Sequence, residues 1–319
     1  MRRLALLAAL CVATTHALAQ GAYPNKPIRF LLGSGPGGLA DVTTRLVGQK
    51  LSERFGQAVV VENRPSAGGV LATQAVATSA PDGHTLMVMV SGNAISKSLL
   101  KSLPYDLEKD FVPVTSVAFF DLLVLVKQDS PHKNVADLLN APRTKQQGIN
   151  IGSTNTGAVQ NLTAHLFAST TGVKGSIIPY KTSGDMLGAL LRGDVDIALD
   201  AYTSLKGAID SKQIRALASS GPTRSRLLPD VPTMKESGFA DFEVIGWNSI
   251  FAPAKTPPAV IATLNKAIVE IVAQPDVQKR FLEIGAEPRT GTPEEMGAFF
   301  RRDIQKFEAV IKRAGIERQ

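Results

Sequence analysis

Two glycine-rich segments carry the residue types best suited to binding chemistry. The first covers residues 33–41 (GSGPGGLAD) and the second residues 152–157 (GSTNTG). Each follows a short apolar run and precedes a helical pattern, which predicts a strand-to-helix turn. Glycine lets a backbone approach a ligand closely, and the unpartnered N–H groups of a helix's first turn attract anions. We call these segments the first turn and the second turn.

Together the two turns predict a carboxylate site. In open α/β sheets, ligands bind beyond the carboxyl ends of the strands. The strand and helix patterns described below place the two turns in two separate lobes, so the turns are expected to face each other across a cleft. Neutral N–H and hydroxyl donors suffice, because bonds to a charged acceptor are roughly twice as strong as neutral ones. Asp200, at a predicted strand end, is also expected to point into the cleft. The alternative is that the glycines serve turn geometry alone.

The first turn also matches the dinucleotide pattern G-x-G-x-x-G through Gly33, Gly35 and Gly38. Glu62 lies near the position of a ribose-binding acid. A Rossmann-like dinucleotide-binding enzyme is therefore the alternative from another class. Pro36 stiffens the loop, which argues against this alternative. The N-terminus described below predicts export, and an exported protein seldom meets free NAD. No Walker lysine follows the glycines, so a P-loop is also excluded. We therefore favour a binding protein and predict no cofactor.

No other catalytic pattern is found in the sequence. His84, His132 and His165 lack the spacing of metal ligands, and no G-x-S-x-G motif occurs. Aspartates recur over residues 194–200, but apolar residues separate them, and Asp41 is interpreted as a favourable charge at a helix N-terminus. From the sequence we expect no metal site and no catalytic residue, and we do not expect the protein to be an enzyme.

The N-terminus has the layout of a cleavable secretory signal peptide. Arg2 and Arg3 precede an apolar run over residues 4–13, and a small-residue cleavage site ends at Ala19. The run is shorter than the roughly 20 residues of a membrane-spanning helix. Cys11, the one cysteine, lies inside it, so the mature chain has no disulfide. We expect residues 1–19 to be removed and the protein to reside in the periplasm.

The charge balance argues against a nucleic-acid partner. Lys and Arg exceed Asp and Glu by 35 − 28 = +7. The basic residues are scattered, without the clustering and interleaved aromatics of a nucleic-acid surface. A mildly basic surface that draws in anions and ordinary solvated surface charge both remain open.

Alternating strand and helix patterns predict two α/β lobes. Strands are predicted at 28–32, 58–62, 85–90, 149–152, 176–179, 195–199 and 214–219. Segments 114–117 and 122–126 lead from the first lobe into the second, residues 243–252 lead back, and helices at 258–273, 275–284 and 293–313 follow. The expected fold is a type II-like periplasmic binding protein, a clamshell of two mostly parallel sheets flanked by helices and joined by a two-strand hinge. The predicted lobes are 20–120 plus 248–319, and 121–247.

Eight ordered stretches carry a family resemblance. They are YPNKPIR (23–29), PGG (36–38), VENRPSAGG (61–69), APDG (80–83), LPYD (103–106), DFVPV (110–114), PYK (179–181) and LPDVPT (228–233). Over its mature length the chain resembles the Bug-type receptors of tripartite tricarboxylate transporters. The resemblance implies an extracytoplasmic solute-binding protein that delivers a small carboxylate to integral-membrane permease subunits. We expect a monomer, with an exported sensor of a two-component system as the alternative.

The resemblance also assigns the substrate-binding residues. They are Ser34, Gly35, Gly37, Gly38, Leu39 and Ala40 in the first turn; Ser91, Gly92 and Asn93 in the loop after the third strand; Ser153, Thr154, Asn155, Thr156 and Gly157 in the second turn; and Asp200 and Tyr202 at a later strand end. Tyr180 and Lys181 would flank the cleft.

The chain departs from the family at the specificity wall. Ser34 stands where an aromatic residue is usual, Ala158 and Val159 replace small hydroxyl residues, and Asn161 replaces a common histidine. The pocket beside Ser34 is expected to be roomier and more polar. No named ligand is predicted.

Overall fold

The computed structural model describes residues 23–155 and 157–319. The predicted signal peptide at 1–19, with Cys11, and the predicted site residue Thr156 lie outside the described residues. The strands are β1 (Ile28–Leu32), β2 (Val59–Asn63), β3 (Thr85–Val90), β4 (Phe111–Lys127), β5 (Ile149–Thr154), β6 (Gly175–Tyr180), β7 (Ile197–Ala201), β8 (Ile214–Ser219), β9 (Ile245–Pro253) and β10 (Glu287–Pro288).

The described helices flank these strands. They are α1 (Leu39–Phe55), α2 (Val70–Ala77), α3 (Ser91–Leu99), α4 (Val135–Asn140), α5 (Pro142–Gln147), α6 (Val159–Thr171), α7 (Ser183–Arg192), α8 (Tyr202–Asp210), α9 (Pro258–Val272), α10 (Pro275–Glu283) and α11 (Pro293–Ala314), with a 3₁₀ turn at Ala67–Gly69. None of the helices in the described ranges is long and apolar enough to cross a membrane.

The strands form one mixed sheet in the order β2-β1-β3-β9-β4-β7-β5-β6, with β8 and β10 also paired to β4. Pairing is parallel among β1, β2 and β3 and among β5, β6 and β7. It is antiparallel wherever β4 or β9 takes part. The predicted two-lobe α/β fold is confirmed. We call the part with β1, β2, β3, β9 and β10 the first lobe and the part with β5 to β8 the second lobe.

Strand β4 joins the two lobes. It is one strand of 17 residues, where the sequence predicts two shorter ones. Up to Asp121, which pairs with Ile245, β4 runs beside β9. From Leu122, which pairs with Ala201, it runs beside β7. Asp121 interrupts the apolar pattern of the sequence, which is why two strands were predicted. The extended backbone continues through it because β4 passes there from one pairing partner to the next.

Each lobe has an apolar core of its own. In the first, Phe30 of β1 packs with Leu264 of α9 and Phe281 of α10. In the second, Leu125 of β4 packs with Leu190 of α7. A third cluster combines residues of both lobes.

Helix α11 fixes the hinge strand β9. Trp247, fully buried in β9, donates its indole N–H to Asp303 of α11 at 2.7 Å. The Phe300 ring lies edge-on to Trp247 with centroids 5.7 Å apart. The bond satisfies the indole N–H, which a buried tryptophan requires.

Candidate ligand-binding site

The first turn is held by the connection between β2 and α2. A β-carbon built on Gly33 would lie 2.4 Å from the Gly69 Cα, so the two backbones touch where only glycine fits. The Asn63 amide donates to the Ser34 carbonyl at 3.1 Å. Gly37 has a φ of 83°, a conformation that favours glycine.

The Asp41 side chain connects the first turn to α1 by a hydrogen bond and an ion pair. Its carboxylate accepts the Gly37 N–H at 2.9 Å and pairs with Arg45 at 2.8 Å. Burial opposes ionisation of Asp41, but the bonds from Arg45 and Gly37 outweigh it and lower the pKa of Asp41. This position agrees with the predicted charge at a helix N-terminus.

Residues 91–93 begin helix α3, where the sequence analysis expects a loop. The side-chain Oδ1 of Asn93 accepts the Val90 N–H at 2.8 Å, and the side-chain Nδ2 donates to the Thr73 hydroxyl at 3.1 Å. The Ser91 hydroxyl accepts the backbone N–H of Trp247 at 3.0 Å. The side chains of Asn93 and Ser91 therefore bind to protein groups, and Ser91 connects α3 to the hinge strand.

The second turn brings the second lobe against α3. Gly157 has a φ of 84°, and a β-carbon built on it would lie 2.4 Å from the Leu99 Cδ2. The Asn155 carbonyl accepts the Ala158 N–H at 3.0 Å. Inside the turn, Asn161 donates to the Ser153 hydroxyl at 3.0 Å. The chain thus enters α6 beside the first lobe.

A cavity of about 490 Å³ lies between the two turns. Both lobes contribute to its wall, and most of the wall comes from the first. The lining residues are Gly33, Ser34, Ser66, Ala67, Gly68, Gly69, Val90, Gly92, Asn93, Ile95, Ser96, Leu99, Leu100, Asn155, Gly157, Ala158 and Gln319.

Five predicted site residues line this cavity. They are Ser34, Gly92, Asn93, Asn155 and Gly157. The other described members of the predicted set, which are not among the lining residues, are Gly35, Gly37, Gly38, Leu39, Ala40, Ser91, Ser153, Thr154, Asp200 and Tyr202. Most of these belong to the same turns and support the residues that form the wall.

Residues 66–69 and the part of α3 beyond Asn93 also form the wall, and they were not among the predicted site residues. A signal for the former was present, because Ser-Ala-Gly-Gly follows β2 and opens α2 in the same strand–glycine–helix order as the two turns. Ile95, Ser96, Leu99 and Leu100 recur at helical spacing. These residues face the cavity because α3 packs against residues 66–69, and that packing is not evident from the sequence.

Asp200 is fully buried beneath α6. Its carboxylate accepts the Gln160 amide at 3.1 Å and the Ala201 N–H at 2.7 Å. Burial raises the pKa of Asp200, and hydrogen bonds from Ser183, Ala201 and Gln160 oppose that shift only in part. Asp200 therefore bonds to α6 through Gln160 and does not line the cavity.

Tyr202 lines a different cavity of about 650 Å³, together with residues of α10. Its ring lies against Gly285, where a built β-carbon would be 3.0 Å from Cδ1. The Tyr202 hydroxyl bonds to Asp210 at 3.1 Å. Tyr202 thus makes a contact between the lobes and does not line the cavity between the two turns.

The side chains that line the cavity are uncharged. No Lys, Arg, Asp or Glu side chain is among its described lining residues. The residues that the structure describes also contain no group of His, Cys, Asp and Glu able to hold a metal ion. The wall combines Ser and Asn groups and glycine backbone with an apolar stretch at Ile95, Leu99 and Leu100. This arrangement is suited to holding a small molecule by hydrogen bonds and apolar contact.

A family model described as the tripartite tricarboxylate transporter family receptor matches residues 43–316. The chain belongs to this family. Protein BugT of Bordetella pertussis is 33% identical over 320 residues, covering 99% of this chain and 98% of BugT. The resemblance that the sequence analysis identifies is confirmed.

Solved structures agree with this assignment. The periplasmic binding protein BugD superposes with a TM-score of 0.77 at 31% identity, covering 93% of this chain and 100% of BugD. Rpa4515 of R. palustris, solved with adipate, superposes with a TM-score of 0.80 at 30% identity, covering 93% of this chain and 100% of that one. The chain therefore has the fold of periplasmic solute-binding receptors.

Proposed function

We propose that this protein is a periplasmic receptor that captures a small carboxylate-bearing ligand between its two lobes. The observation that carries the proposal is the cavity between the two turns, to which both lobes contribute and which offers neutral hydrogen-bond donors. The adipate in the R. palustris relative supports a carboxylate as the ligand class. The protein binds without making or breaking a bond.

In this proposal the two turns hold the carboxylate. Ser34, Gly92 and Asn93 contribute from the first lobe, and Asn155 and Gly157 from the second. Thr156, between the last two, belongs to the same turn. The other predicted residues set the backbone of the turns, and the apolar stretch of α3 contacts the body of the ligand.

A thermal-shift screen against a library of carboxylates tests the proposal. A ligand at a hundred times its dissociation constant adds about 2.7 kcal/mol to the free energy of unfolding, which raises the melting temperature measurably. At least one carboxylate is expected to give such a shift and NAD none. A shift with NAD and with no carboxylate would instead support the Rossmann-like enzyme.

Delivery to a membrane permease completes the proposal. Members of this family are named as receptors of tripartite transporters, so we propose that the loaded monomer hands its ligand to permease subunits. Deleting the receptor gene is expected to abolish uptake of the radiolabelled ligand, and adding purified receptor to spheroplasts to restore it. Unchanged uptake in the deletion strain would argue against a transport role.

A further inference from the structure

Asp121 lies where the two lobes meet. It is the last residue of β4 to pair with β9, and its neighbour Leu122 is the first to pair with β7. It is partly buried, in a part of the hinge that the proposed ligand site does not use. Movement of one lobe relative to the other would change the surroundings of a carboxyl group in this position.

The second lobe covers Asp121 with the segment that follows β8. A β-carbon built on Gly221 would lie 2.5 Å from one carboxylate oxygen of Asp121 and 2.6 Å from the other. The segment is held there by Ser220, whose hydroxyl accepts the Leu122 N–H at 2.9 Å. Asp121 therefore loses much of its contact with water because the second lobe packs on it.

The first lobe supplies a second carboxylate at the same point. Glu287 of β10 pairs with Phe119, two residues before Asp121 on the same face of β4, and such diagonal neighbours lie about 7–8 Å apart. The Glu287 carboxylate accepts the Ser225 hydroxyl at 2.6 Å and the Arg226 N–H at 3.1 Å. Glu287 thus bonds the first lobe to the covering segment of the second.

In the described part of the chain, no cation is among the groups that shift the pKa of Asp121, which are its own burial, Glu287 and the Ser219 hydroxyl. The last residue of β8 offers the Ser219 hydroxyl, and β9 offers the uncharged Ile245 at the paired position. Arg289, which directly follows β10, has its guanidinium carbon 4.8 Å from the centre of the Phe119 ring. Burial, and then the charge of Glu287, raise the pKa of Asp121 to about 7.

We propose that Asp121 and Glu287 form a proton-sensitive contact at the hinge, which makes closure of the lobes, and with it ligand affinity, stronger in acid than in alkali. The proposal rests on the proposed function, because it concerns the regulation of the same site. The conformation described here has both features at once: Glu287 bonds across the lobes, and Gly157 of the second lobe meets Leu99 of the first.

The direction follows from linkage between proton binding and conformation. A group whose pKa is raised in one conformation binds its proton more tightly there, so protonation favours that conformation. The advantage is complete below the ordinary aspartate pKa and is lost as pH rises through about 7. Between pH 6 and pH 8 the lost advantage is about tenfold, because it falls by one decade for each pH unit between the ordinary and the shifted pKa and levels off above the shifted pKa.

Small-angle X-ray scattering of the ligand-free protein at pH 6 and pH 8 tests the contact without a ligand. The radius of gyration of the wild type is expected to increase at pH 8, and that of Asp121→Asn to stay at its pH 6 value. Glu287→Gln keeps an oxygen for Ser225 and removes the neighbouring charge, so its transition is expected at lower pH. Asp194→Asn, an exposed aspartate, is the matched control and should behave as the wild type.

Titration calorimetry with the best carboxylate of the library gives the second readout. The wild type is expected to bind up to about ten times more weakly at pH 8 than at pH 6, in line with the linkage above, and Asp121→Asn equally at both. Equal radii and equal affinities of the wild type at the two pH values would overturn the proposal. Such a result would leave the proposed function standing, whereas failure of every carboxylate to bind at pH 6 would remove the proposed function itself.

Discussion

At the scale of single residues, Ser34 is the position where this chain departs most clearly from its family and lines the cavity. A phenylalanine there would bring the large apolar contact of a ring into the cavity. We predict that Ser34→Phe weakens binding of the native ligand at least about tenfold, or about 1.4 kcal/mol. Titration calorimetry measures the change, and Ser102→Phe, an exposed serine elsewhere, is the control. Equal affinity in Ser34→Phe and wild type would exclude position 34 from the ligand contact.

Single residues were also the most predictable part of the site. Gly33 and Gly157 stand out in the sequence because glycine after a strand and before a helix indicates a tight turn. Both occupy positions where a β-carbon would collide with the facing segment. Asp200 illustrates the limit of such reasoning. Its strand-end position predicted the cleft, but the burial that separates it from the cavity depends on α6 and could not be inferred from spacing.

At the scale of elements, the two hinge strands are packed more tightly than their sequence suggests. A β-carbon built on Gly246 of β9 would lie 2.1 Å from the Phe120 ring of β4. We predict that Gly246→Ala lowers the free energy of unfolding by about 1–3 kcal/mol, the usual cost of overpacking. Chemical denaturation followed by the fluorescence of Trp247 measures the change.

The same pair of strands provides its own control. In a Phe120→Ala background the added methyl group has room, so the cost of Gly246→Ala is expected to fall close to zero. Gly207→Ala in α8, where a β-carbon meets nothing within 4 Å, is expected to be neutral or stabilising. An equal cost of Gly246→Ala in both backgrounds would show that the ring contact is unimportant.

Elements were predictable where their patterns were long, and less so where tertiary contacts define them. The helical tail after Pro253 and the strands β1, β3 and β8 agree closely with the sequence analysis. Residues 91–93, the first of helix α3, were expected in a loop on the family resemblance, and Ser, Gly and Asn are poor helix formers. Bonds from the Asn93 side chain to Val90 and Thr73 stabilise its first turn, and no local pattern reveals the Thr73 partner.

At the scale of the whole molecule, the lobe boundaries remain a proposal. The change of partners on β4 between Asp121 and Leu122 supports the division into 20–120 plus 248–319 and 121–247. Alternating patterns predicted the two lobes, since each supplies its own strand–helix repeat. The mixed pairing around β4 and β9 was less accessible, because it arises from two chain crossings that bring distant segments together.

Export of the protein is a second prediction at this scale. The charged residues, apolar run and small-residue site at 1–19 lead us to expect cleavage after Ala19. N-terminal sequencing of the periplasmic fraction is expected to begin at Gln20. Full-length protein that retains Met1 in the cytosol would contradict both the compartment and the proposed partner.

Capture of the ligand between the lobes is tested most directly by titrating the best carboxylate into two glycine variants. Gly157→Val places a side chain where Leu99 now packs, and Gly172→Val imposes the same kind of backbone strain in open space, at a φ of 70°. We predict that Gly157→Val weakens binding by about tenfold to a hundredfold, a cost of roughly 1–3 kcal/mol, while Gly172→Val binds as the wild type. Wild-type affinity in a folded Gly157→Val protein would contradict capture between the two turns.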